Sequence, residues 1–541
     1  MKSKKKFLLI PAMPTPNGRL HLGHIGGPFL KMDILARSLN RNGDSAKVIS
    51  SSDIYESYVL LKSYQTKMDV YKVCNHFHKL IEDDLKALMI DCDYFNPLDN
   101  AYKKQVDDMY LNTMEALSKT KSYYRRNEKV FYSSKTDKYI VGTWIRGNCP
   151  HCQNDAGSYL CEVCGMQFNP EDFKETKPTL GETDIKEKNV NTFFLKIKNI
   201  KKLLNHITSM GTRLEFFKII ERYLDFYKGE VRITNPGNWG VKWGNENLEG
   251  KNYHVVFPYT GLFSLSRVCG ALYSKEMNLD RNPFEKGSEV TTIASFGIDS
   301  TIPWFVGVLG SAIESNTFKP FDYLLTNHFY KLEGSKFSTS RLHVIWAGDI
   351  VNKTKAKSDS IRFYLAKNHP KDKETDFNIS DFIHFNNSFL VKEFDIKVQK
   401  LLYQLLETKE VKKLPSNLNK DLMLAVKQQA NLLMPPTQNL NKAVEFSQNW
   451  FLKTIKNEDW LANPYWLLKS LSLFFFPIMP EISETIWKAL GNTGAPTNKN
   501  FNNINSLEKL EIPTSFFEIL DYNNLLPCLP KTIIEKQLKF N

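Results

Sequence analysis

Cys149, Cys152, Cys161 and Cys164 form two Cys-x2-Cys pairs with eight residues between them, and this pattern leaves little freedom to the chain around it. Four thiolates at such spacing close around one tetrahedral metal ion, with zinc–sulfur distances near ~2.3 Å. The segment CPHCQNDAGSYLCEVCG must then double back within a few residues, and Gly157 and Gly165 are available for the tight turns. A stretch folded this way cannot run on as a strand or helix of a larger layer; it is an excursion from whatever surrounds it. A shell of four sulfurs leaves no position for a substrate, which points to a structural Zn2+ site, with an iron–sulfur centre or an empty site as the other readings. The other four of the eight cysteines are scattered, which fits metal binding in a reducing cytoplasm better than a disulfide framework.

The surroundings have a different rhythm. KFLLIPA reads as a strand with Phe7–Ile10 buried, and HLGHIGGPFLKMDILARSLNRNG as a helix closed by Gly43. AKVISSSD reads as a second buried strand. The order strand, helix, strand predicts a parallel α/β sheet with right-handed crossovers, which binds ligands at the carboxyl ends of its strands. Residues 121–250 interrupt that rhythm and hold the cysteines; it resumes from about 253 in YHVVFPY and TTIASFGIDSTIPWFVGVLGSAI. From about 380 the chain reads as helices only, a C-terminal bundle. The expected boundaries are 1–120 and 251–345 for the two halves of the sheet domain, 121–250 for the insertion, 346–385 for a linker, and 386–541 for the bundle.

The 541 residues exceed what one core organises. Lys plus Arg outnumber Asp plus Glu, 72 to 59, for a net charge of +13. That charge suits nucleic acid or simply a solvated basic surface. No stretch approaches the ~20 apolar residues of a membrane span. The apolar run before Pro11 is shorter than the ~7–15 residues of a signal-peptide core, so the expected location is the cytoplasm.

Three further motifs carry chemistry. In PTPNGRLHLGH, His21 and His24 stand three apart on the first turn of a helix, with Gly23 between them. A helix N-terminus bearing two imidazoles can hold phosphate, although such histidines also occur as core or surface residues. In SFGIDS, Gly297 and Asp299 end an apolar run, where a glycine and an acid can hold an adenine or a ribose hydroxyl, or where Asp299 merely caps a helix. In EGSKFSTSR, Lys336, Ser338, Ser340 and Arg341 have the character of a phosphate-binding turn, a pattern also common on ordinary surfaces.

In this order and at these separations, the motifs resemble those of class I aminoacyl-tRNA synthetases, and of the methionyl-tRNA synthetase family most. HLGH matches the first signature, KFSTS the second, and RGNCPHC…YLCEVCG the zinc knuckle of the connective insertion; MDILAR and FPIMPEISETIWKALG also match. The resemblance is continuous over about 1–345 and looser beyond. It implies an α/β Rossmann catalytic core, a parallel sheet split by a zinc-knuckle connective insertion, followed by an all-α helical-bundle domain. It implies ATP-dependent activation of an amino acid, with Mg2+ accompanying ATP, and tRNA as acceptor. By this resemblance His21, His24 and Lys336 are catalytic; Gly23, Gly297, Asp299, Ser338, Ser340 and Arg341 bind ATP; Cys149, Cys152, Cys161 and Cys164 bind zinc. Asp53 falls where the family's acid holds the α-amino group.

The amino-acid pocket departs from the family. Met13 stands for a leucine, Thr15 for a tyrosine, Val256 for a tryptophan and Trp304 for a histidine, and DIYES replaces Asp-x-His-Gly. Thr339 replaces the second lysine of the loop. These departures leave a second reading open, a synthetase-like ligase that passes an amino acid to a small molecule. A third is a non-catalytic RNA-binding paralogue, against which the intact signature residues argue. In the bundle, Trp450 and Trp460 fall near an anticodon-reading position, or are buried core.

Overall fold

The computed structural model describes residues 4–339, 341–408, 411–505 and 515–538. Its centre is a five-stranded, all-parallel sheet. β1 (Lys6–Pro11) is flanked by β2 (Ser45–Ser51) and β4 (Thr291–Gly297); β3 (Asp93–Phe95) and β5 (Tyr323–Asn327) form the edges, in the order β5-β4-β1-β2-β3. β1 to β3 extend one way from the centre and β4 and β5 the other. The chain therefore leaves the carboxyl ends of β1 and β4 in opposite directions and opens a crevice between them.

The helix after β1 is not regular. It runs as Leu22–His24, a π-helical stretch Ile25–Phe29, and Leu30–Arg41. Pro28 lacks the N–H that a regular turn needs, and the Leu30 N–H reaches back to the Ile25 carbonyl instead. The Ser295 hydroxyl on β4 donates to the Pro28 carbonyl at 2.8 Å, which ties this bulge to the sheet.

The insertion is built on two long antiparallel strands, Tyr123–Ser133 and Ile185–Lys196, paired along their length. The cysteine knuckle lies between them in sequence, on a small sheet of Ile145–Asn148, Asp155–Gly157 and Lys174–Pro178. Tyr253–Val256, expected where the core resumes, is instead the middle strand of an antiparallel sheet with Thr234–Gly237 and Lys242–Asn247. A short apolar run looks the same in either kind of sheet, so its partners are not legible locally. The core resumes with the helix Pro258–Glu276, which packs on β1 and β2, and then β4.

Beyond β5 the expected linker carries structure of its own. Thr375–Phe377 pairs in parallel with Tyr330–Leu332, which pairs with Ser335–Lys336 at the root of the KFSTS loop. Helices then follow, from Ile379–Phe385 to Pro480–Ala489. A buried ionic junction fastens them to the core. Arg362 donates to Asp33 at 2.6 Å, to the Ile478 and Pro477 carbonyls at 3.0 and 3.1 Å, and to the Leu88 and Met89 carbonyls at 3.1 and 3.2 Å. Thus MDILAR and FPIMPEIS, far apart in sequence, meet through one guanidinium. Trp450 and Trp460 are both buried; Trp450 packs on Phe474 at 4.3 Å and on Trp460 at 6.4 Å. The core reading of these tryptophans is the one the structure bears out.

Candidate active site

A cavity of about 550 Å3 opens at the carboxyl ends of β1 and β4. Its first wall is the segment from Ala12 to His24. Arg19 pins that turn, with contacts to Asp84 at 2.6 Å and to Asp349 at 2.9 Å. Asp84 also accepts the Leu20 and Gly348 N–H groups at 3.0 and 2.9 Å. The backbone ahead of the histidines is therefore fixed before any ligand arrives.

His21 and His24 cap each other. The His24 N–H donates to His21 Nδ1 at 3.3 Å, and the His21 N–H to His24 Nδ1 at 3.2 Å. Both Nδ1 atoms act as acceptors, so each neutral ring carries its proton on Nε2. Their rings stack at 3.7 Å. Burial, then the neighbouring His24, holds the His21 imidazole well below its usual range, and burial pushes His24 down to about 4. At neutral pH the pair is uncharged and offers two N–H donors. Phe337 of the KFSTS loop continues the stack on His21 at 4.5 Å. The space that Gly23 leaves is filled by this ring: a Cβ at Gly23 would stand 2.9 Å from Phe337 Cδ2 and 3.1 Å from the His21 ring.

The opposite wall comes from three places. Gly297 and Asp299 lie at the end of β4, and burial pushes the Asp299 carboxyl up to about 6, with Glu162 adding to the rise and Lys336 opposing it. Asn327 ends β5 and accepts a hydrogen bond at 2.9 Å from Lys31, a buried amine that burial lowers to about 7. Lys336 lies over the Phe329 ring at 4.0 Å and donates to the Glu162 carbonyl at 3.4 Å. Ser338 accepts from Arg341 Nε at 3.2 Å, and both line the cavity, as does Thr339. Ser340 lies outside the described residues.

The expected amino-acid residues divide. Thr15 lines the cavity. Met13, Val256 and Trp304 share one buried apolar cluster beside it, with Trp304 stacked on Phe296 at 5.1 Å and edge-on to Phe321 at 5.7 Å. Asp53 is buried behind Pro14, to whose carbonyl its N–H donates at 3.0 Å, and burial pushes its carboxyl up to about 7.

The four cysteine sulfurs lie within 4.8 Å of one another. Cys149 and Cys164 are 3.8 Å apart and Cys152 and Cys161 3.5 Å. A tetrahedron with zinc–sulfur bonds of ~2.3 Å has edges of about 3.8 Å. The four donors fit one closed tetrahedral ion.

Two buried or cavity-facing acids were missed from the sequence. Glu162, inside the knuckle, reaches the cavity, and Glu56 is buried beside Asp53. The first had no signal, since only folding brings the knuckle to the β4 end. The second was visible as the acid in DIYES, where the sequence departs from its family.

The family model for tRNA synthetases class I (M) matches residues 7–401. Methionine–tRNA ligase 1 of Alkaliphilus oremlandii is 26% identical over 385 residues, covering 70% of this chain and 69% of that protein. Methionine–tRNA ligase of Porphyromonas gingivalis is 25% identical over 410 residues, covering 74% of this chain and 58% of its own length. The crystal structure of Mycobacterium tuberculosis methionyl-tRNA synthetase bound by methionyl-adenylate shares the fold, with a TM-score of 0.69 over 95% of this chain and 100% of that one, at 13% identity. With the family model spanning most of the chain, and its two signatures facing each other across one cavity, the chain belongs to the class I tRNA synthetases of the M type.

Proposed function

We propose that this chain activates an amino acid with ATP and transfers it to tRNA. The carboxylate oxygen attacks the α-phosphorus, the bond to pyrophosphate breaks, and an aminoacyl-adenylate remains; transfer to tRNA then releases AMP. The observation that carries this reading is the convergence of a neutral histidine pair, Lys336 and Asp299 on one cavity at the sheet's switch point.

The residues divide the work by charge. The Nε2–H groups of His21 and His24 suit phosphate oxygens, and being neutral they need not shed a proton first. Gly23 keeps the helix start open on that side. Lys336, on a loop with Ser338 and Arg341 beside it, supplies the positive charge for the departing pyrophosphate. Ser340 belongs to the same loop by sequence. Gly297 and Asp299 hold the adenosine end. Asp53 takes the α-ammonium, with Thr15 at the cavity edge and Met13, Val256 and Trp304 as the apolar backing. Mg2+ accompanying ATP would offset phosphate charge. Cys149, Cys152, Cys161 and Cys164 would hold a structural zinc that keeps Glu162 against the loop. The net charge of +13 suits a polyanionic acceptor.

ATP–pyrophosphate exchange across a panel of amino acids, followed by charging of total tRNA, tests the proposal. Exchange with at least one amino acid and label on tRNA are expected. Exchange without charging would refute the tRNA step, and no exchange at all would refute adenylation.

A further inference from the structure

Asp53 and Glu56 are each 5% exposed, three residues apart on the turn that leaves β2. Neither has an ion pair among the described residues, and Asp53 Oδ1 and Glu56 Oε2 have no hydrogen-bond partner at all. Asp359 and Asp395 are also buried without an ion pair among the described residues, but they stand singly, and three other buried acids are paired. Asp33 pairs with Arg37 and Arg362, Asp84 with Arg19, and Glu128 with Arg232. A buried carboxylate left without a cation destabilises a fold, and here two stand side by side. Burial pushes Asp53 up to about 7 and Glu56 up to about 8, and Asp53 adds to the rise at Glu56.

Other polar groups without partners gather around them. Tyr110 and Tyr159 are each 1% exposed, and both hydroxyls lack a hydrogen-bond partner. Tyr110 packs edge-on against Tyr55, which lies between the two acids, at 5.6 Å. The Asp53 N–H donates to the carbonyl of Pro14, a residue that lines the cavity, which sets the acid pair behind the cavity's first wall. Trp239 Nε1 donates to the Ile54 carbonyl at 2.8 Å and holds the turn between the two acids in place. Arg232, whose guanidinium lies 5.8 Å from the centre of the Tyr159 ring, is paired with Glu128, and among the described residues no cation pairs with Asp53 or Glu56.

We propose that Glu56 is a specificity-determining residue of the amino-acid pocket, and that the pocket selects an amino acid with a second protonated nitrogen on its side chain. The inference rests on the adenylation reading above. Asp53 takes the α-ammonium and Glu56 the side-chain cation; two positive groups neutralise both acids, whereas one leaves Glu56 unmatched. A thioether has no donor to offer it. A site built to receive a hydrogen-bond donor discriminates strongly against substrates lacking one.

The test is ATP–pyrophosphate exchange by the full chain with methionine, lysine, ornithine and 2,3-diaminopropionate, in the native protein and in Glu56→Gln. A higher kcat/KM for at least one diamino acid than for methionine is expected. Glu56→Gln, nearly isosteric, should then shift the ratio of diamino acid to methionine by about 10²-fold towards methionine, mostly through KM. Calorimetric titration of the preferred diamino acid into both proteins should show the same loss in affinity, and thermal melting confirms that the variant is folded. A native preference for methionine would overturn the inference and leave adenylation standing. An equal loss for all substrates in Glu56→Gln would also overturn it, by giving Glu56 a share of the α-ammonium or a structural role. Silence with every amino acid would remove both readings.

Discussion

Arg362→Met tests whether the buried junction fastens the helical domain to the core. The guanidinium is fully buried and serves five acceptors: Asp33 and the carbonyls of Leu88, Met89, Pro477 and Ile478. Methionine has comparable length and no donors. Breaking a buried ion pair costs about 3–5 kcal/mol. The low end applies to the carboxylate, since Asp33 keeps Arg37 at 3.0 Å and the Asp91 N–H at 2.9 Å. The four carbonyls raise the figure, each buried acceptor left without a donor costing about 1–3 kcal/mol where the helix does not serve it. A loss of about 4 kcal/mol is the working value. Because three of the acceptors lie on the core and two on the FPIMPEIS segment, the loss should fall on docking. Calorimetry should show one unfolding transition in the native protein, and in the variant a transition for the bundle at lower temperature, with Lys and Arg sites between 340 and 380 more open to trypsin. An unchanged single transition would refute the assignment of the junction.

Four further outcomes follow from the geometry. Lys336→Ala should lower exchange by about 10²–10³-fold with little change in melting; full activity would remove the loop from the catalytic machinery. Gly23→Ala pushes a methyl into Phe337 and should lower exchange by at least tenfold, and adding Phe337→Ala should restore part of it; no rescue would mean that the clash with His21 dominates. Cys161→Ser, or a strong chelator, should remove one zinc per chain by metal analysis and lower melting; unchanged zinc content would refute the four-sulfur site. Raised carboxyls in the folded state bind protons that the unfolded state has released. Stability from Glu56 is therefore complete below about pH 4.5 and is lost as pH rises to about 8, at up to about 1.4 kcal/mol per pH unit. Glu56→Gln should be less sensitive than the native protein over that window, and identical pH dependence of melting would refute the raised carboxyl.

What could be read from the sequence was chemistry at fixed spacing. The two Cys-x2-Cys pairs, the histidines at i, i+3 and the acid after SFG occupy tight turns, a helix start and a strand end, where residue type and local geometry are bound together. Tyr253–Val256 was placed in the wrong sheet because an apolar run does not name its partners. The π-helical stretch was missed although its local cause, Pro28, was on view; its tie to Ser295, in the far half of the chain, was not. Glu56 was on view, yet its significance comes from the absence of an arginine, and that is a fact about folded neighbours.

The contact between Lys336 and the Glu162 carbonyl joins residues 174 positions apart. The knuckle and the signature loop are consequently not separable modules. A connective insertion transplanted from a relative would bring a different rest for the lysine, and the loop's position would shift with it. Exchange of such segments between members of this family should succeed when the loop travels with the knuckle, and fail when either is moved alone.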